Sequence, residues 1–252
     1  MKHTDWYREF HDSSILLGWR GSVTFGTYRA GGSSDKDVMG VIIHPPSHYF
    51  GFQMQETYER MEKSGDTTWD FVGYELRHFV RLLCKANPNV MALLWLPDNM
   101  YIKQTPLGKE LIANRKMFAT KLAYNSFTGY AYSQLHRMNR KVTTGDLGAK
   151  RKAIVEAYGF DTKHASTLIM LMNMCVEFLA TGELQVHREE NTYLVDIKQG
   201  KYPIEHVQEE AQRLFRLAQE AMARSTLPNA PDMEKVNGLL TDLVRRGVEQ
   251  NA

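Results

Sequence analysis

Cysteine is nearly missing from this chain, with two among 252 residues, Cys84 and Cys175. They stand too far apart for a metal-ligand spacing, which excludes a thiolate metal centre and a disulfide framework. Both sit in apolar helical patterns where a thiol acts as a small buried hydrophobe, so a reducing compartment is expected. Long apolar runs are missing as well: no stretch reaches the about 18 residues of a membrane span, and the start does not read as a signal peptide. The expectation is a soluble cytoplasmic protein with no membrane partner. No internal repeat recurs, and nothing in the sequence fixes an oligomeric state.

Charge of one sign is also missing overall, since 31 Lys and Arg nearly balance 29 Asp and Glu for a net +2. The balance is local, however: residues 109–163 carry 11 basic against 4 acidic side chains, leaving the rest of the chain negative. Such a segment suits a phosphorylated ligand or a solvated helical face. A hydrophobic fraction of 43% marks a globular chain able to bury a core, as one large domain or two small ones.

The stretch around which the chain is organised runs from Trp19 to Ile43. An apolar run, residues 15–19, reads as a strand and ends in Gly21-Ser22; a loop rich in glycine and serine follows, to Ser34. Asp35 and Asp37 then precede Val38-Met-Gly-Val-Ile-Ile43, a continuous apolar run typical of a buried strand, which Pro45-Pro46 stops. Residues two apart on a strand project from one face. Asp35 and Asp37 are therefore spaced to hold a hard cation between them, with Gly21 and Ser22 offering backbone and hydroxyl donors nearby. The bland reading makes Asp35 a turn cap and Asp37 a surface charge.

Further along, residues 4–12 read as a short helix capped by Thr4, and residues 46–51 as a polar connection. Residues 53–62 read as a strand, with a turn at Gly65-Asp66. The segment from Thr67 begins as a strand and becomes helical, with Leu76, Phe79, Val80 and Leu83 on one apolar face. It puts Asp70 inside an aromatic strand, where an unpartnered carboxylate is costly and needs a reason. Glu56, Glu59 and Glu75 are its rivals as a third acid. A short apolar helix, 90–96, closes at Pro97.

From residue 106 the pattern is helical: 121–138, a loop at 143–146, 150–158, and 161–180 with Leu168, Leu171, Met172, Cys175 and Leu179 at helical spacing. Residues 183–196 read as a small strand pair. Pro203 opens an amphipathic helix, and a last helix runs to about Gly247. The expected class is α+β, with a mixed-sheet domain over 1–105 and a helical domain over 106–252. Lys163, behind Asp161 at a helix start, reads either as a phosphate contact or as a solvated lysine beside a cap.

Gly21-Ser22, Asp35-Lys-Asp37 and the strand acid Asp70, in that order, resemble the DNA polymerase beta superfamily of nucleotidyltransferases. Tyr74-Glu-Leu-Arg-His-Phe-Val-Arg-Leu, Asn87-Pro-Asn-Val, Gly129-Tyr-Ala-Tyr-Ser-Gln-Leu and Asp161-Thr-Lys-His-Ala with Gly182-Glu are similar to the branch associated with RNA repair. The likeness covers about residues 14–200. It departs at Ala92, where an acid is usual, and at Met170, where a basic residue is usual. The resemblance implies a nucleotidyltransferase fold and a transfer of a nucleoside monophosphate from NTP to an acceptor hydroxyl. Asp35, Asp37 and Asp70 would hold two Mg²⁺ ions. Gly21 and Ser22 would meet the phosphates, and Lys163, Tyr132 and Ser133 would line the nucleotide site. The acceptor stays open among an RNA end, a protein side chain and a small molecule, with the basic helices leaning toward RNA. A catalytically idle nucleotide or RNA sensor is the alternative.

Overall fold

The computed structural model describes residues 5–27, 35–52, 54–65, 67–139, 149–187 and 191–250. The chain opens with α1 (Asp5–Ser13), β1 (Ser14–Trp19), the single turn α2 (Gly21–Thr24) and β2 (Lys36–Ile42). Next come α3 (Pro46–Phe50), β3 (Thr57–Ser64), β4 (Thr67–Glu75), α4 (Leu76–Cys84), α5 (Pro88–Leu94) and β5 (Tyr101–Gln104). The remainder is helical: α6 (Pro106–Ala113), α7 (Leu122–Met138), α8 (Ala149–Tyr158), α9 (Thr162–Thr181), α10 (Thr192–Lys198), α11 (Ile204–Arg224) and α12 (Met233–Gln250). Thr4, Ser34, Asp66 and the 143–146 loop lie outside the described residues.

The five strands form one mixed sheet in the order β3-β4-β2-β1-β5, with β2 and β4 parallel and the other neighbours antiparallel. The class is α+β, as expected. β2 lies at the centre, which explains its unbroken apolar run: one face must serve α1 and the other the helical body. Leu17, Val38, Ile42 and Phe71 pack with Phe10 of α1. Leu16, Met39 and Val41 point the other way, into the large cluster shared with the helices. Each such aliphatic side chain, removed from water, stabilises the fold by about 1.5–3 kcal/mol before the entropy of ordering it.

Local signals set the helix ends. Glu75 caps α4 by accepting from His78 N at 3.2 Å, and Asn87 caps α5 by accepting from Asn89 N at 3.0 Å, with Pro88 in the first turn. Asp161 caps α9, and Gly182 ends it in the left-handed region at φ 68°, where a Cβ is disfavoured. By length and hydropathy α9 could cross a membrane; here it is the central core helix, packed on α7, α10 and α11. The sheet half and the helical half share one apolar cluster, and α12 returns to pack on α4.

Three expectations are corrected. The strand pair expected over 183–196 is not formed: residues 192–198 are helical, because Leu194 and Ile197 are both buried in the shared core and their spacing matches one helical turn. The connection at 46–51 is α3, for a proline at the first helical position starts a helix as readily as it stops a strand. β5 lies where no strand was expected, a four-residue edge beside β1, too short to show alternation.

Candidate active site

The parallel register of β2 and β4 sets Asp37 level with Asp70, just as Val38 is level with Phe71 and Met39 with Val72. Adjacent strands lie about 4.8 Å apart and level side chains share a face, so the two carboxylates project side by side. Asp35 stands exposed just before β2. Burial pushes the Asp37 carboxyl above its usual range, Arg20 and Lys163 oppose the shift, and Asp70 and Asp35 add to it. All three acids are thus close enough for their charges to act on one another, with two cations set against them.

Arg20 is the nearer cation. Its backbone N–H donates to Asp37 O at 2.9 Å, and its guanidinium Nη2 donates to Asp70 Oδ2. The Nε of Arg20 is buried without a hydrogen-bond partner among the described residues. Gly21 follows at φ +70°, and a Cβ there would run into Asp37 Oδ2, so only glycine lets the turn pass this close to the acid. Ser22 lies in the α2 turn, its carbonyl accepting from Thr27 N at 2.9 Å.

A pocket of about 230 Å³ opens between these residues and α5, lined by Trp19, Arg20, Phe25, Asp37, Asn89 and Leu93 among others. The helical half grips the turn that forms its rim. Asn191 Nδ2 donates to Phe25 O at 3.2 Å, Lys198 Nζ donates to Thr27 O at 3.1 Å, and His187 Nδ1 lies 3.0 Å from Thr24 O. Lys163 is exposed on the first turn of α9, its N–H held by Asp161 Oδ1 at 3.1 Å. Burial and the charge of Lys163 lower the pKa of Lys198, so two ammonium groups crowd this side of the acids.

The rivals of Asp70 are engaged elsewhere. Glu75 is buried, accepts from Tyr49 and Arg77 at 3.1 Å each, and caps α4. Glu56 pairs with Arg81 and His78, and Glu59 on β3 is level with Val72, away from Asp37. Tyr132 stacks on Phe215 of α11 with ring centroids 4.5 Å apart, and Ser133 is exposed; neither lines the pocket. Tyr130 instead turns toward the site side, its hydroxyl accepting from Asn87 Nδ2 at 2.9 Å. Arg20, Asn89 and Lys198 were missed in the sequence. The one available signal was a cation directly before the Gly-Ser turn.

Among the described residues no group of three His, Cys, Asp or Glu side chains is gathered as a metal cage, since the Asp70 carboxylate is turned onto Arg20. The donor chemistry nonetheless fits a hard dication: carboxylate oxygens that repel one another, an acid with raised pKa, and a guanidinium holding the place of a counter-ion.

Residues 8–242 match the RNA repair pathway DNA polymerase beta family. The chain belongs to that family. It is accordingly a nucleotidyltransferase-type protein of the polymerase beta superfamily. A nucleotidyltransferase-like protein from Exiguobacterium sibiricum, solved by crystallography, is 13% identical, with a TM-score of 0.32 over 97% of this chain and 72% of that one. No curated protein gives a significant match.

Proposed function

We propose that this protein transfers a nucleoside monophosphate from an NTP to an acceptor hydroxyl with Mg²⁺, and that an RNA end is the acceptor. The observation that carries the reading is the level pairing of Asp37 and Asp70 beside the glycine turn at Gly21. In this reading residues 1–105 supply the chemistry and residues 106–252 the cationic wall.

Asp35, Asp37 and Asp70 would hold the metal, which when bound supplies Lewis-acid stabilisation of charge on the reacting phosphate and the leaving pyrophosphate. The chain's own residues do the rest. Gly21 lets the α2 turn approach the phosphates, and Ser22 offers a hydroxyl donor. Arg20 lines the pocket and bonds to Asp70, so it can pass from carboxylate to phosphate without leaving the site. Lys163 faces the leaving group's charge. Asp70, on the β3 side of Asp37 and away from the pocket, is placed to orient the acceptor hydroxyl and take up its proton. The pocket is smaller than the about 300 Å³ or more of a whole-ligand cleft, which suits a base or sugar with the phosphates outside it.

The Arg20–Asp70 pair also favours a second reading, an idle nucleotide or RNA sensor, because it neutralises the third acid without a metal. The experiment is to incubate the protein with each α-labelled NTP and Mg²⁺, with RNA, with cell extract or with no acceptor. Label on RNA 3′ or 5′ ends supports the proposal. Label on protein or a small molecule replaces the acceptor, and nucleotide binding without pyrophosphate release selects the sensor.

A further inference from the structure

Where α7, α8 and α9 meet, a buried polar network stands beside the acids and is unused by the roles above. His164 is 6% exposed; its Nδ1 lies 2.6 Å from Gln134 Oε1, and Arg151 Nη1 donates to its Nε2. A guanidinium can only donate, so Nε2 is the lone-pair nitrogen and Nδ1 carries the proton toward the amide oxygen. The ring is therefore neutral and fixed in one tautomer. Burial holds its pKa down to about 4, against the pull of Asp161. Asp161 is itself buried; its Oδ1 caps α9, and its Oδ2, without a hydrogen-bond partner, lies 3.9 Å from Arg151 Nη1 and 3.6 Å from His164 Nε2.

Burying an amide, an imidazole and a carboxylate together is costly unless each is satisfied, and tying three helices together needs only apolar contact, which this core has in abundance. What the network adds is direction. It fixes one edge of the Arg151 guanidinium while leaving that side chain 41% exposed, so its other donors are aimed outward in a fixed fork. His164 follows Lys163, whose charge acts on Asp37 on one side and on His164 on the other. Moving away from the acids, the cations come in the order Lys163, then Arg151.

We propose that Arg151, aimed by His164, binds the terminal phosphate of the substrate triphosphate and so separates NTP from NDP. The reacting α-phosphate belongs at the acids, and the phosphates that leave extend from it; a second fixed cation beyond the first meets only a ligand with that length of charge. A guanidinium fork suits the terminal phosphate, which presents oxygens for paired hydrogen bonds. The inference rests on the proposed nucleotidyl transfer.

The test measures Mg²⁺-dependent binding of the four NTPs, the matching NDPs and a single-stranded RNA to wild type, Arg151→Ala, His164→Leu and His164→Gln. Wild type should prefer NTP to NDP. Arg151→Ala and His164→Leu should each lose about tenfold or more in NTP affinity, the scale of one charge-assisted contact, with NDP affinity within about twofold. His164→Gln, which keeps an acceptor facing Arg151, should recover most of the loss; a role confined to packing would not follow that pattern. Equal losses for NTP and NDP, no loss in Arg151→Ala, or a loss of RNA binding alone overturns the inference while leaving nucleotidyl transfer in place. Wild type that binds no nucleotide overturns both. Thermal unfolding identifies a variant that fails to fold, and Arg151→Ala, at a half-exposed position, then decides alone.

Discussion

Gly21 and Asp37 are in contact through the space that a side chain would fill: a Cβ on residue 21 would overlap Asp37 Oδ2. Gly21→Ala should therefore act twice. At φ +70° an alanine costs about 1–2 kcal/mol, and its methyl must displace the Asp37 carboxylate. Chemical denaturation reads the first effect and metal-dependent nucleotide binding the second; unchanged binding in a folded Gly21→Ala variant would detach the turn from the site.

Arg20→Ala should separate metal from nucleotide. Removing the guanidinium from Asp70 frees a carboxylate beside Asp37, so Mn²⁺ binding without nucleotide should tighten by roughly tenfold. Nucleotide affinity should fall, because the same side chain lines the pocket. Titration of Mn²⁺ alone and then of Mn²⁺ with NTP gives both signs. Weaker Mn²⁺ binding in the variant would mean that Arg20 does not compete for the acid.

Much of this arrangement is legible in the sequence, for identifiable reasons. The run Val38 to Ile43 reads as a buried strand because a central strand serves two apolar faces, and Asp70 stands out because an acid in an aromatic strand is costly. What escapes depends on which distant groups meet. Arg20 bonds to a carboxylate 50 positions away, and no local pattern records that. Tyr130 and Tyr132 look equivalent in sequence, yet two residues apart on a helix they lie on nearly opposite sides, one bonded to Asn87 and the other stacked on Phe215. Residues 192–198 carry Tyr, Leu, Val and Ile, favourable in strands, and only their packing against the shared core makes them a helix.

His44 gives the fold a dependence on pH. It is buried, stacked on His48 at 4.1 Å, with Tyr58 OH 2.9 Å from its Nε2. Burial, aided by His48, holds its pKa down to about 4. An unfolded histidine takes up its proton near pH 6.5. Between about pH 6.5 and 4 the unfolded chain therefore binds more protons, and stability falls as pH falls, by about 2 kcal/mol from this group. His164, also held at about 4, acts in the same direction. Urea unfolding from neutral pH down to about pH 4.5 should show a shallower loss in His44→Gln than in wild type; parallel curves would assign the loss to other groups.

Lys163→Ala should raise the NTP concentration needed for half-maximal rate while leaving unfolding unchanged, since the side chain is exposed and its backbone, not its ammonium, is what Asp161 caps. Steady-state kinetics over NTP concentration decides this. No change in either rate or half-saturation leaves the lysine as a solvated charge.

The central claim is that Asp35, Asp37 and Asp70 form one metal-dependent site, and pyrophosphate release by the three single variants tests it most directly. Asp35→Ala and Asp37→Ala should lose Mg²⁺-dependent nucleotide binding together with release. Asp70→Asn should still bind Mg-NTP, yet lose release by about a hundredfold or more, the scale of one positioned catalytic group. Full release in Asp70→Asn would contradict its place in the site, and full release in Asp35→Ala or Asp37→Ala would contradict the nucleotidyltransferase reading itself.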